Sequence, residues 1–189
     1  GLRRHVHGYA EATLVAKGMA VDKIVGKRTS FQRHERDFYE TPFEAIVPLV
    51  AHLPHSVRFD EPCAGNGALI RHLEEFNAVC ISKGDINDGQ DALQIQGTPA
   101  DMFITNPPWN WSALSKLIPH LSNMAPCWLL LNADLMHNKR MAPHMARCRK
   151  VVSVGRVSWM QNGIKGFENC AWYLFDKDAE ETIFCARAA

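Results

Sequence analysis

Residues 127–131 read CWLLL, and the next residue is Asn132. Polar and apolar residues do not alternate along this run, so a strand here must be buried on both faces. A strand of that kind needs a layer packed on each side, which excludes a one-sided sheet. Its neighbours agree. "SVRFD" (56–60), "AVCIS" (78–82) and "ADMFIT" (100–105) read as short strands, and each is followed by a turn. Between them "TPFEAIVPLVAHL" (41–53), "ALIRHLEEF" (68–76) and "SALSKLIPHLSNM" (112–124) carry apolar residues at helical spacing. Strands alternating with helices give parallel units, and therefore an α/β fold with a mostly parallel sheet and helices on both faces.

Local signals refine this outline. Thr41 is placed to cap the first helix, with Pro42 at its first position and Glu44 completing a capping box. Pro119 should bend or shorten the third helix. A further helix is expected within 134–148. The last two strands, "KVVSVGRVSW" (150–159) and "NCAWYLFD" (169–176), leave no room for a helix between them. They should pair antiparallel.

Composition limits the class of protein. The 189 residues are 47% hydrophobic and 22% charged, ordinary for a globular chain of one domain. The six cysteines include no C-x-x-C pair, so a zinc site is not expected. Free thiols of this kind, and the lack of a signal segment or membrane span, point to a reduced cytoplasmic setting. Net charge is +1, but it is uneven. Residues 1–36 hold eight Lys or Arg against Glu11, Asp22 and Glu35. A basic extension over 1–30, helical or flexible, on a near-neutral domain over 31–189 is suited to meeting phosphates.

Three stretches carry chemistry. In "FDEPCAGNGAL" a strand meets a helix through a turn containing Gly65 and Gly67, which permit positive φ and close backbone approach. A carboxylate at Glu61 repels phosphate but suits a cationic ligand, such as a nucleoside with an amino-acid tail. Asp85 lies 18 residues beyond Gly67, near the spacing of about 20 at which an acid binds ribose hydroxyls. Asp91 is placed to reach an adenine amino group.

The third stretch is "FITNPPWNW" (103–111). Asn106 ends a strand where doubly wound sheets hold ligands. Pro107 and Pro108 prevent ladder bonding, so the Asn106–Pro107 peptide keeps an unpaired carbonyl. Two acceptors aimed at one point suit an –NH₂ group. Accepting both N–H bonds draws the nitrogen toward tetrahedral geometry and frees its lone pair. Trp109 offers a flat face for a planar substrate, and Trp111 or Trp159 a second wall.

"DFYETP", "EPCAGNG", "GDI", "DAL", "TNPPW" and "AWYLF", in this order, resemble class I S-adenosylmethionine-dependent methyltransferases. The likeness covers roughly residues 31–176. It is strongest to adenine-N6 DNA methyltransferases of the small single-domain type found in phages and prophages. It implies a Rossmann-like, mostly parallel seven-stranded sheet with a reversed last strand, and S-adenosylmethionine as cofactor. Tyr39 (or Phe38), Thr41 and Pro42 would then lie near the methionine end. Glu61, Ala64, Gly65 and Gly67 would line methionine and ribose, Asp85 would hold the ribose and Asp91 the adenine. Asn106, Pro107, Pro108 and Trp109 would hold the target amine, with Asn106 also beside the cofactor.

Two departures from that family pattern stand out. The stretch from the second strand to Asp91 is short, and there is no large target-recognition domain. Short or relaxed sequence preference follows, with DNA, double- or single-stranded, gripped through Lys27, Arg28, Arg33, Arg36, Lys139, Arg140 and Lys165. Three alternatives share the motifs: methylation of a protein glutamine amide, of adenine in RNA, and an inactive nucleic-acid-binding subunit. Enzymes of the first kind usually carry Tyr after the prolines, and the intact motifs argue against the last.

Overall fold

The computed structural model describes residues 40–187. The basic extension over 1–30, Arg36, Phe38 and Tyr39 lie outside the described residues. Seven strands form one sheet: β1 (Arg58–Glu61), β2 (Val79–Lys83), β3 (Met102–Thr105), β4 (Cys127–Asn132), β5 (Cys148–Gly155), β6 (Cys170–Phe175) and β7 (Ile183–Cys185). Their order is β2-β1-β3-β4-β6-β5-β7. Strand β6 is antiparallel to both neighbours, and every other pairing is parallel. The helices are α1 (Phe43–Val50), α2 (Ala68–Glu74), α3 (Trp111–Met124) and α4 (Ala142–Met145).

The two-faced burial of β4 organises the core. Trp128 and Leu130 point to the face covered by α1 and α2, where Ile46, Leu49, Leu69 and Leu73 meet Phe59, Ile104 and Trp172. Cys127, Leu129 and Leu131 point to the other face, where Leu114, Leu117, Ile118 and Leu121 of α3 meet Phe103, Tyr173 and Phe175. All five β4 side chains are at most 1% exposed. Each large apolar one stabilises the fold by about 1.5–3 kcal/mol. The indole N–H of Trp172 donates to the Ala45 carbonyl at 2.7 Å and pins α1 to the sheet.

Local details sharpen these expectations, and the Thr41 cap is corrected. Thr41 does not cap α1: Pro42 occupies that position, no side chain caps the helix, and Glu44 instead accepts from the Ser158 N–H. Pro119 does not interrupt α3, which runs unbroken from Trp111 to Met124. Buried Leu114, Leu117 and Ile118 before the proline and Leu121 after it hold both halves to the sheet. The helix expected within 134–148 is the one-turn α4, which Pro143 opens; two 3-10 turns parted by Asn138 precede it. Finally, a strand follows the reversed one. At three residues, with Ile183 and Phe184 exposed, β7 is too short to show a twofold pattern.

Candidate active site

The parallel strands β1, β2 and β3 end at one edge of the sheet, and a cavity of about 660 Å³ opens there. Thr41, Glu61, Ala64, Gly65, Asp85, Asp91, Asn106 and Pro108 all line it. Pro42, Gly67, Pro107, Trp109, Trp111, Trp159, Lys139, Arg140 and Lys165 do not.

The turn after β1 is laced to the end of β2. Gly84 N–H donates to the Glu61 carbonyl at 3.0 Å, and Ala64 N–H to the Gly84 carbonyl at 2.8 Å. Gly65 N–H donates to Asp85 Oδ2 at 2.8 Å. The turn closes through Gly65 (φ +51°) and Gly67 (φ +78°), backbone angles that a residue with a Cβ rarely adopts.

Asp85 and Asp91 each cap a 3-10 turn. Asp85 Oδ1 accepts from the N–H of Asn87 at 2.8 Å, and Asp91 Oδ1 from that of Leu93 at 2.9 Å. These two caps fold the short stretch after β2 so compactly that both acids face one cavity. Ile86, between them, is 63% exposed and also lines it, which sequence reasoning missed. The available signal was an apolar residue directly after the acid that ends β2.

Glu61 differs from the other two acids. Its Oε1 accepts a long 3.3 Å bond from Cys63 N–H, and its Oε2 is buried with no hydrogen bond of good geometry among the described residues, the neighbouring Thr105 hydroxyl being likewise unpaired. Burial pushes the carboxyl up to about 8. Asp60 and Asp85 push the same way, against the Thr105 hydroxyl and the Cys63 N–H. A buried acceptor without a donor costs free energy until a donor arrives. An ammonium group entering the cavity would satisfy it, so the donor set fits the amino-acid end of S-adenosylmethionine.

The corner after β3 is fixed from both sides. The β3–β4 pairing ends at Thr105↔Leu129, and the indole N–H of Trp109 donates to the Leu130 carbonyl at 2.9 Å. The Trp109 ring also meets Trp159 edge to face, with centroids 5.4 Å apart. Asn106 Nδ2 donates to Thr41 Oγ1 at 3.1 Å. That bond occupies the amide nitrogen and leaves Oδ1 as an acceptor. Asn110 caps α3 by accepting from Ala113 N–H at 2.9 Å, so Trp111 opens the helix. Trp111 lies beneath Arg140, away from the Trp109–Trp159 pair in its contacts.

Glu40 joins the parts. It accepts from Asn66 in the turn after β1 and, at 3.0 Å, from Gln161 in loop 156–169. That loop exposes Ile164 and Phe167. Gly166 allows it to close over Trp159, since a Cβ there would stand 3.0 Å from the indole Cδ1. Among the described residues no three or more His, Cys, Asp or Glu side chains gather as a metal site, and no helix is long and apolar enough to cross a membrane.

No protein-family profile and no curated protein matches the sequence. Solved structures do match the fold. A protein of Pyrococcus horikoshii, provisionally described as an RNA methyltransferase, superposes with a TM-score of 0.55 at 10% identity, over 75% of this chain and 87% of that one. A protein of Listeria monocytogenes, provisionally described as a class I S-adenosylmethionine-dependent methyltransferase, superposes with a TM-score of 0.51 at 10% identity. It covers 77% of this chain and 64% of that one. The 23S rRNA methyltransferase ErmE gives 0.50 at 13% identity, over 75% and 70%. The fold is the Rossmann-like class I methyltransferase fold.

Proposed function

We infer that this chain transfers a methyl group from S-adenosylmethionine to the exocyclic N6 amine of adenine in DNA, with short or relaxed sequence preference. The observation that carries the reading is the cavity's pairing of buried Glu61, whose Oε2 has no hydrogen-bond partner among the described residues, with Asn106, whose amide nitrogen donates to Thr41 Oγ1. One suits an ammonium and the other a neutral –NH₂.

Bound S-adenosylmethionine would supply a methyl group on a sulfonium, transferable to the amine nitrogen with loss of a neutral thioether and of the amine's surplus proton to solvent. The protein's own work is positioning. Glu61 takes the ammonium of the amino-acid tail, with Thr41, Ala64 and Gly65 beside it. Asp85 uses its remaining acceptor capacity for ribose hydroxyls, Asp91 reaches the adenine amine of the cofactor, and Ile86 offers its face to that ring. Asn106 Oδ1 and a backbone carbonyl beside Pro107 accept both N–H bonds of the target. Pro107 and Pro108 hold these acceptors rigid. Trp109, tied down at its N–H, presents an indole to the target ring, with Trp159 behind it. An adenine in a duplex must leave the stack first, at a cost of a few kcal/mol. Catalysis is assigned to residues 31–189, with the basic residues of 1–30 as an extension.

Adenine in RNA is the second reading, favoured by the rRNA methyltransferase among the structural neighbours. A labelled-methyl assay on double-stranded DNA, single-stranded DNA and RNA, followed by digestion to nucleosides, tests both. N6-methyladenosine from RNA alone would replace the DNA reading. Label appearing only in a protein substrate with a Gly-Gly-Gln loop would overturn both.

A further inference from the structure

We propose that Arg140, laid on Trp111 with Lys139 beside it, is a phosphate clamp that grips the substrate strand next to the target nucleotide. This rests on the nucleic-acid reading above and extends it to a surface outside the cavity.

Charge is the first ground. Residues 127–167 contain seven Lys or Arg and a single acid, Asp134. Most charged side chains on a surface are merely solvated, so what matters is which of these cations are already engaged. Arg147 donates to Ser122 Oγ and Asn123 Oδ1, each at 2.9 Å, and Arg149 pairs with Asp176 at 3.0 Å. Lys139 and Arg140 are exposed, and neither meets a carboxylate among the described residues.

Geometry is the second. The Arg140 Cζ sits 4.8 Å from the centre of the Trp111 ring. A guanidinium resting on an aromatic face engages its flat side and keeps its in-plane N–H fork for a bidentate phosphate contact. The stacking also removes rotamer freedom before the phosphate arrives. His144 meets the same indole edge to face, with centroids 5.5 Å apart. Burial, and then Arg147, hold His144 below the ordinary histidine value, so at neutral pH it adds no charge to repel Arg140.

Position is the third. Trp111 is five residues beyond Asn106, a separation that spans at most about 18 Å of chain. That is within about five nucleotides of a stacked strand at 3.4 Å each. A strand whose target base sits at Asn106 can therefore reach Arg140 within about five nucleotides.

The test uses the full chain, an adenine-containing single-stranded oligonucleotide, and affinity measured across a salt series. R140Q should weaken oligonucleotide binding about 5–10-fold and flatten the log–log salt dependence by about 0.7, the loss of one phosphate contact. KM for the oligonucleotide should rise by the same factor, while cofactor affinity stays at the wild-type value. R140K keeps the charge but not the flat fork. It should retain the salt slope and lose part of the affinity. Inorganic phosphate, added as competitor, should displace the oligonucleotide poorly, because the strand is held at other points too.

If wild type methylates nucleic acid and R140Q leaves KM and salt slope untouched, the clamp is wrong and the functional reading stands. If R140Q loses cofactor affinity in parallel, Arg140 is structural and the clamp is wrong. If wild type neither binds nor methylates any nucleic acid, both fall together.

Discussion

The two halves of the cavity rim are built from opposite chemistry. Where β1 and β2 end, three carboxylates face inward, and the backbone satisfies two of them. Asp85 is held by Gly65 and Asn87, and Asp91 by Leu93, whereas Glu61 Oε2 has no donor among the described residues. Where β3 ends, the groups are neutral: the Asn106 amide and Pro108 at the cavity, with Pro107 and the Trp109 indole next to them in the chain. Exposed cations without a carboxylate partner among the described residues include Lys139 and Arg140, farther along the chain. An anionic half admits a cationic ligand and repels phosphate. A neutral corner flanked by cations admits an uncharged amine carried on a polyanion. The contrast assigns one ligand to each half, and it can be broken at either.

The largest effect should come from the neutral half. Asn106→Ala removes the acceptor aimed at the amine. Loss of a preorganised group of this kind costs about 10²–10³ in kcat. Cofactor affinity should change little, because the Glu61 half is untouched. The measurement is single-turnover transfer alongside cofactor titration. Loss of cofactor affinity with retained transfer would exchange the roles of the two halves.

Glu61→Gln probes the acidic half, with an effect at the lower end of that range. Breaking a buried charge pair costs about 2–5 kcal/mol, so cofactor affinity should fall about 100-fold. The pH dependence gives a second signature. In the free protein the carboxyl sits at about 8, above its unfolded value of 4.5. The folded state therefore holds a proton that the unfolded state has released, and stability falls as pH rises from 4.5 toward 8. An arriving ammonium favours the ionised carboxylate, so binding at pH 7 should release a proton. Affinity should climb with pH until the ligand's own ammonium, with an ordinary value of about 7.7–8.0, begins to titrate. Calorimetry in buffers of different ionisation enthalpy reads the proton directly. Glu61→Gln should abolish its release. A wild type that binds without releasing a proton would mean that Glu61 does not meet the ammonium.

The same contrast marks what the chain displayed before folding. Strands buried on both faces announce themselves by composition, so β4 and the alternation around it were legible. Eight of the residues lining the cavity were legible too, because strand ends, turn glycines and proline corners sit at fixed places in the sequence, whereas Glu40 and Ile86 were not. Hydrogen bonds between distant segments were not. Nothing local says that the Thr41 hydroxyl leaves its own helix to meet an amide 65 residues away, or that Glu40 links two loops. The capping-box reading of Thr41 and Glu44 failed for this reason: both side chains have partners across the fold that outcompete the local ones. Trp111 is a similar case. Beside Trp109 in sequence, it looks like a second wall of one pocket, but the helix it opens directs it toward Arg140 and His144.

Thr41 yields the smallest and most discriminating prediction, because it lines the cavity yet acts on the neutral half. Its hydroxyl accepts from Asn106 Nδ2, and this bond decides which end of the amide faces the target. Without it the amide can turn over and present N–H groups where acceptors are needed. A hydrogen bond of this type contributes about 0.5–1.5 kcal/mol. Thr41→Val keeps the shape and deletes the acceptor, so kcat should fall about 3–10-fold, the rate equivalent of that energy. Thr41→Ser restores the hydroxyl and should recover most of the rate. Cofactor affinity should hold in both variants. If Ser lowers cofactor affinity, Val does not, and both leave kcat alone, Thr41 serves the acidic half through its methyl group. The orientation of Asn106 would then have to come from the rigidity of Pro107 and Pro108 alone.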